Sequence, residues 1–196
     1  MTDLERALAD IAEVRERLGH VQRFKGYSGV AAMLSGLFAI AAGVVQMLTL
    51  PQIQTQQQGR EYFALWFVCC AVSMIVNYSA IAHWFVNDAN ARERWQTATV
   101  GLSILPALVV GGALSFALLR LNLISVLPGV WCACYGTGLL ASRTTLPPAG
   151  IWFGAAFLAA GIALLFAPAQ VALAWWMLPV TFGIGQVAIG ASIVRV

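Results

Sequence analysis

The sequence predicts an all-α, polytopic membrane protein: a bundle of six transmembrane helices in antiparallel hairpins, preceded by an N-terminal amphipathic helix. Three observations carry this reading. Residues of the AVILMFWYC group make up 60% of the 196 positions, and Asp, Glu, Lys and Arg only 10%, against roughly 25% charged residues in soluble domains. Mean hydropathy is +0.81. The apolar residues fall in runs long enough to cross roughly 30 Å of hydrocarbon at 1.5 Å per helical residue. So few charges cannot coat a soluble globule. A cytoplasmic enzyme, a secreted disulfide module and a disordered tail are therefore excluded, and one domain is expected at this length.

The first 25 residues read as a cytoplasmic amphipathic helix over 3–24. Thr2 and Glu5 have capping-box spacing. Leu4, Leu8, Ile11, Val14, Leu18 and Val21 form an apolar stripe, while Arg6–Asp10 and Glu13–Arg17 are opposite-charge pairs four residues apart. A helix lying in the headgroup layer carries an excess of Lys and Arg. This one balances five basic against five acidic residues, so the stripe reads as a partner-docking face. The same balance, with no basic cluster elsewhere, argues against nucleic acid as a partner. The first apolar run is too long for the core of a secretory signal, so the N-terminus is expected to be retained.

Residues 26–196 form the transmembrane domain, with segments at about 27–50, 62–86, 97–119, 122–141, 150–167 and 170–194. The connections are short: a glutamine-rich stretch over 51–61, the charged 87–96, a turn around Arg120 and Asn122, and 142–149. Helices joined this tightly are antiparallel neighbours. With the N-terminus inside, nine Lys and Arg residues lie on the inner side against Arg60 and Arg120 outside. The expectation is thus a bacterial inner (plasma) membrane protein with both termini cytoplasmic.

Several packing signals accompany the segments. Leu127-Pro128 and Leu178-Pro179, 51 residues apart and followed by Trp131 and Phe182, hint at a repeated hairpin. Four-spaced rows of small residues mark close helix approach: Ala31, Ser35, Ala39 and Gly43; Ala107, Gly111 and Ser115; Ala155, Ala159, Ala163 and Ala167. Pro106, Pro128 and Pro179 are each expected to kink a helix. The four cysteines (Cys69, Cys70, Cys132, Cys134) all sit in apolar runs, where small buried hydrophobes are the ordinary reading. Cys69 and Cys132 fall at similar depth.

No Asp, Glu, Lys or Arg lies between the membrane interfaces, which argues against proton-coupled transport. The polar groups left inside are uncharged. Asn77, Tyr78, His83, Tyr135 and Gln186 form the candidate pocket or interhelical polar network. Each such group must find a hydrogen bond within the bundle, because hydrocarbon offers none. No metal or haem site is expected: His20 is the only other histidine, and neither H-x-x-x-H nor H-E-x-x-H spacing occurs. There is no nucleophile elbow, P-loop or dinucleotide motif, so no cofactor and no enzymatic activity are expected. The functional expectation is a non-catalytic subunit, scaffold or assembly factor acting through helix–helix contacts. Its partners would be membrane lipids and a second copy or another membrane protein. The alternative is a small facilitative transporter or channel for a neutral or hydrophobic solute.

Overall fold

Helix caps set where the chain enters the bundle. In the computed structural model, which describes residues 28–87, 89, 91–142 and 148–194, α1 (Gly29–Thr49) opens on Ser28, whose hydroxyl accepts from the Ala31 amide at 3.2 Å. The second helix, α2 (Gln56–Asn87), opens on a capping box. Thr55 Oγ1 accepts from the Gln58 amide at 3.2 Å, and Gln58 Oε1 accepts from the Thr55 amide at 3.0 Å. That reciprocal pair draws the glutamine-rich stretch into the helix, six residues ahead of the expected start. Next, α3 (Ala91–Arg120) follows after only three residues, so most of the expected 87–96 loop is helical. Arg94 closes this turn, donating to the Ala89 and Val86 carbonyls and lying over the Phe85 ring.

Asn122 then takes a left-handed conformation (φ 59°), which asparagine tolerates better than most residues. A 3-10 turn over Ile124–Val126 leads into α4 (Leu127–Ala141), and α5 (Pro148–Leu165) follows. The expected sixth segment is not one continuous helix. It comprises a single turn, α6 (Ala169–Ala172), a loop, a π-helical stretch over Pro179–Ile184, and α7 (Gly185–Val194). Prolines explain part of this. Pro106 lies inside α3, but Pro128 and Pro179 stand in the first turn of their elements, where a missing amide hydrogen costs no helical bond. They start helices rather than kink them.

The described residues contain no strand. Four stretches are long and apolar enough to cross a membrane: Gly29–Thr49, Gln56–Asn87, Leu102–Arg120 and Ile124–Ala141. Gly150–Leu165 and Pro179–Val194 are apolar but shorter. The six full-length spans expected from the sequence are therefore corrected to four, with two shorter helices. The chain is an all-α, multi-pass membrane protein. Residues 3–24, including the stripe of Leu4, Leu8, Ile11, Val14, Leu18 and Val21, lie outside the described residues.

Two antiparallel helix pairs form the tight part of the bundle. Glycines at seven-residue intervals line each seam. On α1, Gly29 meets Gly190 and Gly36 meets Gly183; a Cβ at Gly36 would lie 2.5 Å from the Gly183 carbonyl oxygen. Between α4 and α5, Gly129 meets Gly161 and Gly136 meets Gly154; a Cβ at Gly136 would lie 2.7 Å from the Gly154 oxygen and 2.5 Å from the Leu158 nitrogen. Side chains are excluded here so that backbones can touch, as membrane helices need for van der Waals contact and Cα–H···O bonds. Seven residues drift only about 20° around a helix, so such glycines stay on one face. The four-spaced row of α5 does not: Ala155, Ala159 and Ala163 are exposed, while Gly154, Phe157, Gly161 and Leu164 are buried.

Two clusters of buried side chains pack beside these seams. One, at the end of the bundle marked by Leu50, contains Tyr62, Phe63, Trp66, Ile124, Leu127 and Leu178. The other joins Cys132, Leu139, Phe157, Leu164, Met177 and Ile189. The residues of the expected repeat hold matching places: Leu127 and Leu178 are both buried, each followed by a helix-opening proline.

Candidate functional site

Four polar links tie the helices around a central space. Gln46 of α1, 1% exposed, accepts from Trp66 Nε1 at 2.9 Å and donates to the Leu173 carbonyl at 2.8 Å. One amide thus fastens α1 to α2 and to the loop after α6. Ser115 of α3 accepts from Trp131 Nε1 at 2.7 Å and donates to the Gly111 carbonyl at 2.6 Å, fastening α3 to α4. Asn77 Nδ2 donates to Ser35 Oγ at 2.6 Å and to the Ser73 carbonyl at 2.8 Å, fastening α2 to α1. Finally, Gln186 Nε2 donates to Tyr135 Oη at 2.6 Å, joining α7 to α4. These partners satisfy groups for which hydrocarbon has no substitute.

The last link differs from the others. Gln186 Oε1 is buried and has no hydrogen-bond partner among the described residues. Leaving such an acceptor unpaired costs about 1–3 kcal/mol. Tyr135 is held by rings on two sides, with Phe157 edge-on at 4.8 Å and Phe182 tilted at 5.5 Å. Phe182 belongs to the π-helical stretch, a distortion that recurs at functional sites.

Between these links lies a cavity of about 310 Å³, walled by α1, α2, α3, α4 and the Phe182–Gln186 segment. That volume falls at the small end of the range for small-molecule sites. Aromatic side chains dominate the wall, among them Trp66, Trp131 and Phe182; Ser35, Ser73, Ser115, Tyr135 and Gln186 supply its polar groups. Among the described residues none that lines it is charged. Three thiols, Cys69, Cys70 and Cys134, also reach it, whereas Cys132 is fully buried in the second cluster. The depth match of Cys69 with Cys132 therefore does not make them neighbours across the cavity; Cys134 takes that place. All four cysteines are free.

Among the described residues the α2 and α3 walls touch little. Phe63 and Phe67 meet Phe116 at 5.7 and 6.1 Å near the Leu50 end, and the short turn closed by Arg94 joins them at the other. Between these closures, Cys70 and Met74 of α2 and Gly112 of α3 line the cavity while also being exposed. A Cβ at Gly112 would meet nothing within 4 Å.

The five residues expected to form a polar network divide. Tyr135 and Gln186 bond to each other and line the cavity. Asn77 bonds to Ser35 at its edge. Tyr78 and His83 are exposed and do not line the cavity; the His83 carbonyl only accepts from Asn87. The residues sequence reasoning missed are Trp66 and Trp131, which read as interface or packing aromatics until their indole partners are seen. The seven-residue glycine spacing, visible in the sequence, was the available signal for which helices pair. Among the described residues no group of three or more His, Cys, Asp or Glu side chains is placed to hold a metal. Among the described residues the space is lined by uncharged groups, three thiols among them, and by no carboxylate, imidazole or ammonium group. Compared with protein-family models, with curated proteins and with solved structures, the chain matches none.

Proposed function

We propose that this membrane protein takes an uncharged, largely apolar molecule into the cavity between α1, α2, α3, α4 and α7, and acts as a small facilitative transporter for it. The observation that carries this reading is the cavity itself: about 310 Å³, apolar, lined among the described residues by no charge, and bordered by the half-buried amide of Gln186, whose oxygen is unpaired. A chain serving only as packed support gains nothing from such a space, because each lost dispersion contact costs stability. No charged relay faces the cavity, so the transport is downhill and not proton-coupled. In this reading the two shorter helices cross the bilayer with their adjoining turns, giving six crossings in all. Both termini lie in the cytoplasm of a bacterial cell, and the protein resides in the inner membrane.

The test is native mass spectrometry of protein extracted gently from its own membranes. Wild type is expected to retain one small uncharged molecule per chain, and Gly112→Phe, which fills the open side, to lose it while keeping its melting temperature. A bare chain under conditions that preserve bound lipid would refute the reading.

A second reading keeps the protein as a non-catalytic subunit or scaffold docking through residues 3–24. The outward row of Ala155, Ala159 and Ala163 supports it, since small residues admit a close neighbouring helix. Deleting residues 1–22 would then release a co-purifying membrane protein or split a homo-oligomer without melting the bundle.

A further inference from the structure

We infer that the cavity's occupant is a hydroxyl-bearing, uncharged amphiphile, a long-chain alcohol, that arrives sideways from the hydrocarbon phase between α2 and α3. This inference rests on the binding reading above and adds the ligand's chemistry and its route.

The route follows from the walls. Cys70 and Met74 lie near the middle of the 32-residue α2, far from either end. They and Gly112 of α3 line the space and are exposed, so the space is open between them. At that depth the surroundings are lipid tails, not water. The phenylalanine cluster closes one end of the slot and the Arg94 turn the other. No charged lining residue offers a hydrated path. A molecule reaching the slot must therefore already be dissolved in the bilayer.

The head group follows from the unmatched acceptor. Gln186 lines the cavity, its Nε2 is committed to Tyr135, and its Oε1 is buried with no partner among the described residues. That oxygen is buried rather than open to the cavity, so binding requires the terminal amide to turn it toward the guest, and only a donor then satisfies it. An ether, an ester or a plain hydrocarbon cannot donate. A charged head is disfavoured, because no opposite charge lines the site to offset its desolvation. A hydroxyl on a hydrocarbon tail meets both demands, with the tail running out between Cys70 and Gly112.

Photolabelling of the full chain in lipid nanodiscs tests this, using hexadecanol that carries a diazirine in its tail. Wild type is expected to be labelled at Cys69–Met74 and Ala107–Phe116. Unlabelled hexadecanol should compete at least about fivefold better than hexadecyl methyl ether or hexadecane, as one hydrogen bond in a dry site permits. Gln186→Leu should erase that preference while hydrocarbon competition persists; Gln186→Met, closer in shape, serves if the leucine variant does not fold. Gly112→Phe should lower cavity labelling at least about fivefold, a conservative figure for blocking the only slot the inference uses. Equal competition by the ether overturns the hydroxyl inference and leaves the binding reading standing. Undiminished labelling in Gly112→Phe overturns the sideways route. Labelling that none of the three competitors reduces overturns the binding reading as well.

Discussion

The α1–α7 and α4–α5 pairs and the α2–α3 pair are made of similarly apolar sequence, yet they pack in opposite ways. In the first two, glycine faces glycine and backbones touch, so each seam has one register and no spare volume. Between α2 and α3, phenylalanines meet at one end and Arg94 bonds back to Val86 and Ala89 at the other, leaving a gap at mid-length. Lipid tails are as apolar as leucine, so hydrophobicity alone does not draw membrane helices together. Fit does. Where glycines supply fit the bundle is closed, and where bulky side chains hold helices apart it leaves a cavity.

Breaking a seam should therefore have the largest effect. Gly36→Leu and Gly136→Leu drive a side chain into a facing backbone, 2.5 Å from the Gly183 oxygen and the Leu158 nitrogen respectively. Each is expected to cost about 3 kcal/mol or more, read as loss of a monodisperse peak and a lower melting temperature in detergent. The contrasting glycine, Gly112, has open space around its Cβ. Gly112→Leu should leave stability unchanged or raise it by up to about 1 kcal/mol, the helix-propensity difference.

Next in size is the amide that fastens the loose pair to the tight one. Gln46→Leu leaves the Trp66 indole N–H and the Leu173 carbonyl without their shared partner. The expected loss is about 1–2 kcal/mol, measured by thermal unfolding. Tyr135→Phe removes one hydrogen bond to Gln186 and keeps the ring contacts with Phe157 and Phe182, for about 1 kcal/mol. His83→Ala, on an exposed face, should fall within about 0.5 kcal/mol of wild type. A large effect there would give His83 a partner that the bundle does not show.

Fold class, the multi-pass character and most helix positions were legible because they rest on apolar run length, which hydrocarbon thickness dictates. Ends were less legible. Thr55 and Gln58 form a capping box inside a stretch whose polarity reads as loop, and the charged decapeptide over 87–96 is helical at Asn87 and again from Ala91 on. The break in the last segment was not legible from hydropathy, which stays high through Pro179. Within the site, Tyr135 and Gln186 stood out as polar groups in apolar runs, and they meet. Tyr78 and His83 stood out for the same reason but are exposed, since a step of about two residues, half a helical turn, carries a side chain from the core to the outer face. Helix pairing was written in the glycines at seven-residue spacing, while the four-spaced rows mixed buried faces with the exposed Ala155, Ala159 and Ala163.

The most direct test of the central claim, that the space between α2 and α3 is open to the lipid phase, is tryptophan quenching. Trp66 and Trp131 line the cavity. In a variant with Trp84, Trp95, Trp152, Trp175 and Trp176 changed to Phe, a brominated hydrocarbon dissolved in the nanodisc bilayer should quench the remaining fluorescence strongly. Adding Gly112→Phe should restore most of it. Fluorescence that the bromine leaves unquenched, or quenching that Gly112→Phe does not change, would contradict the account.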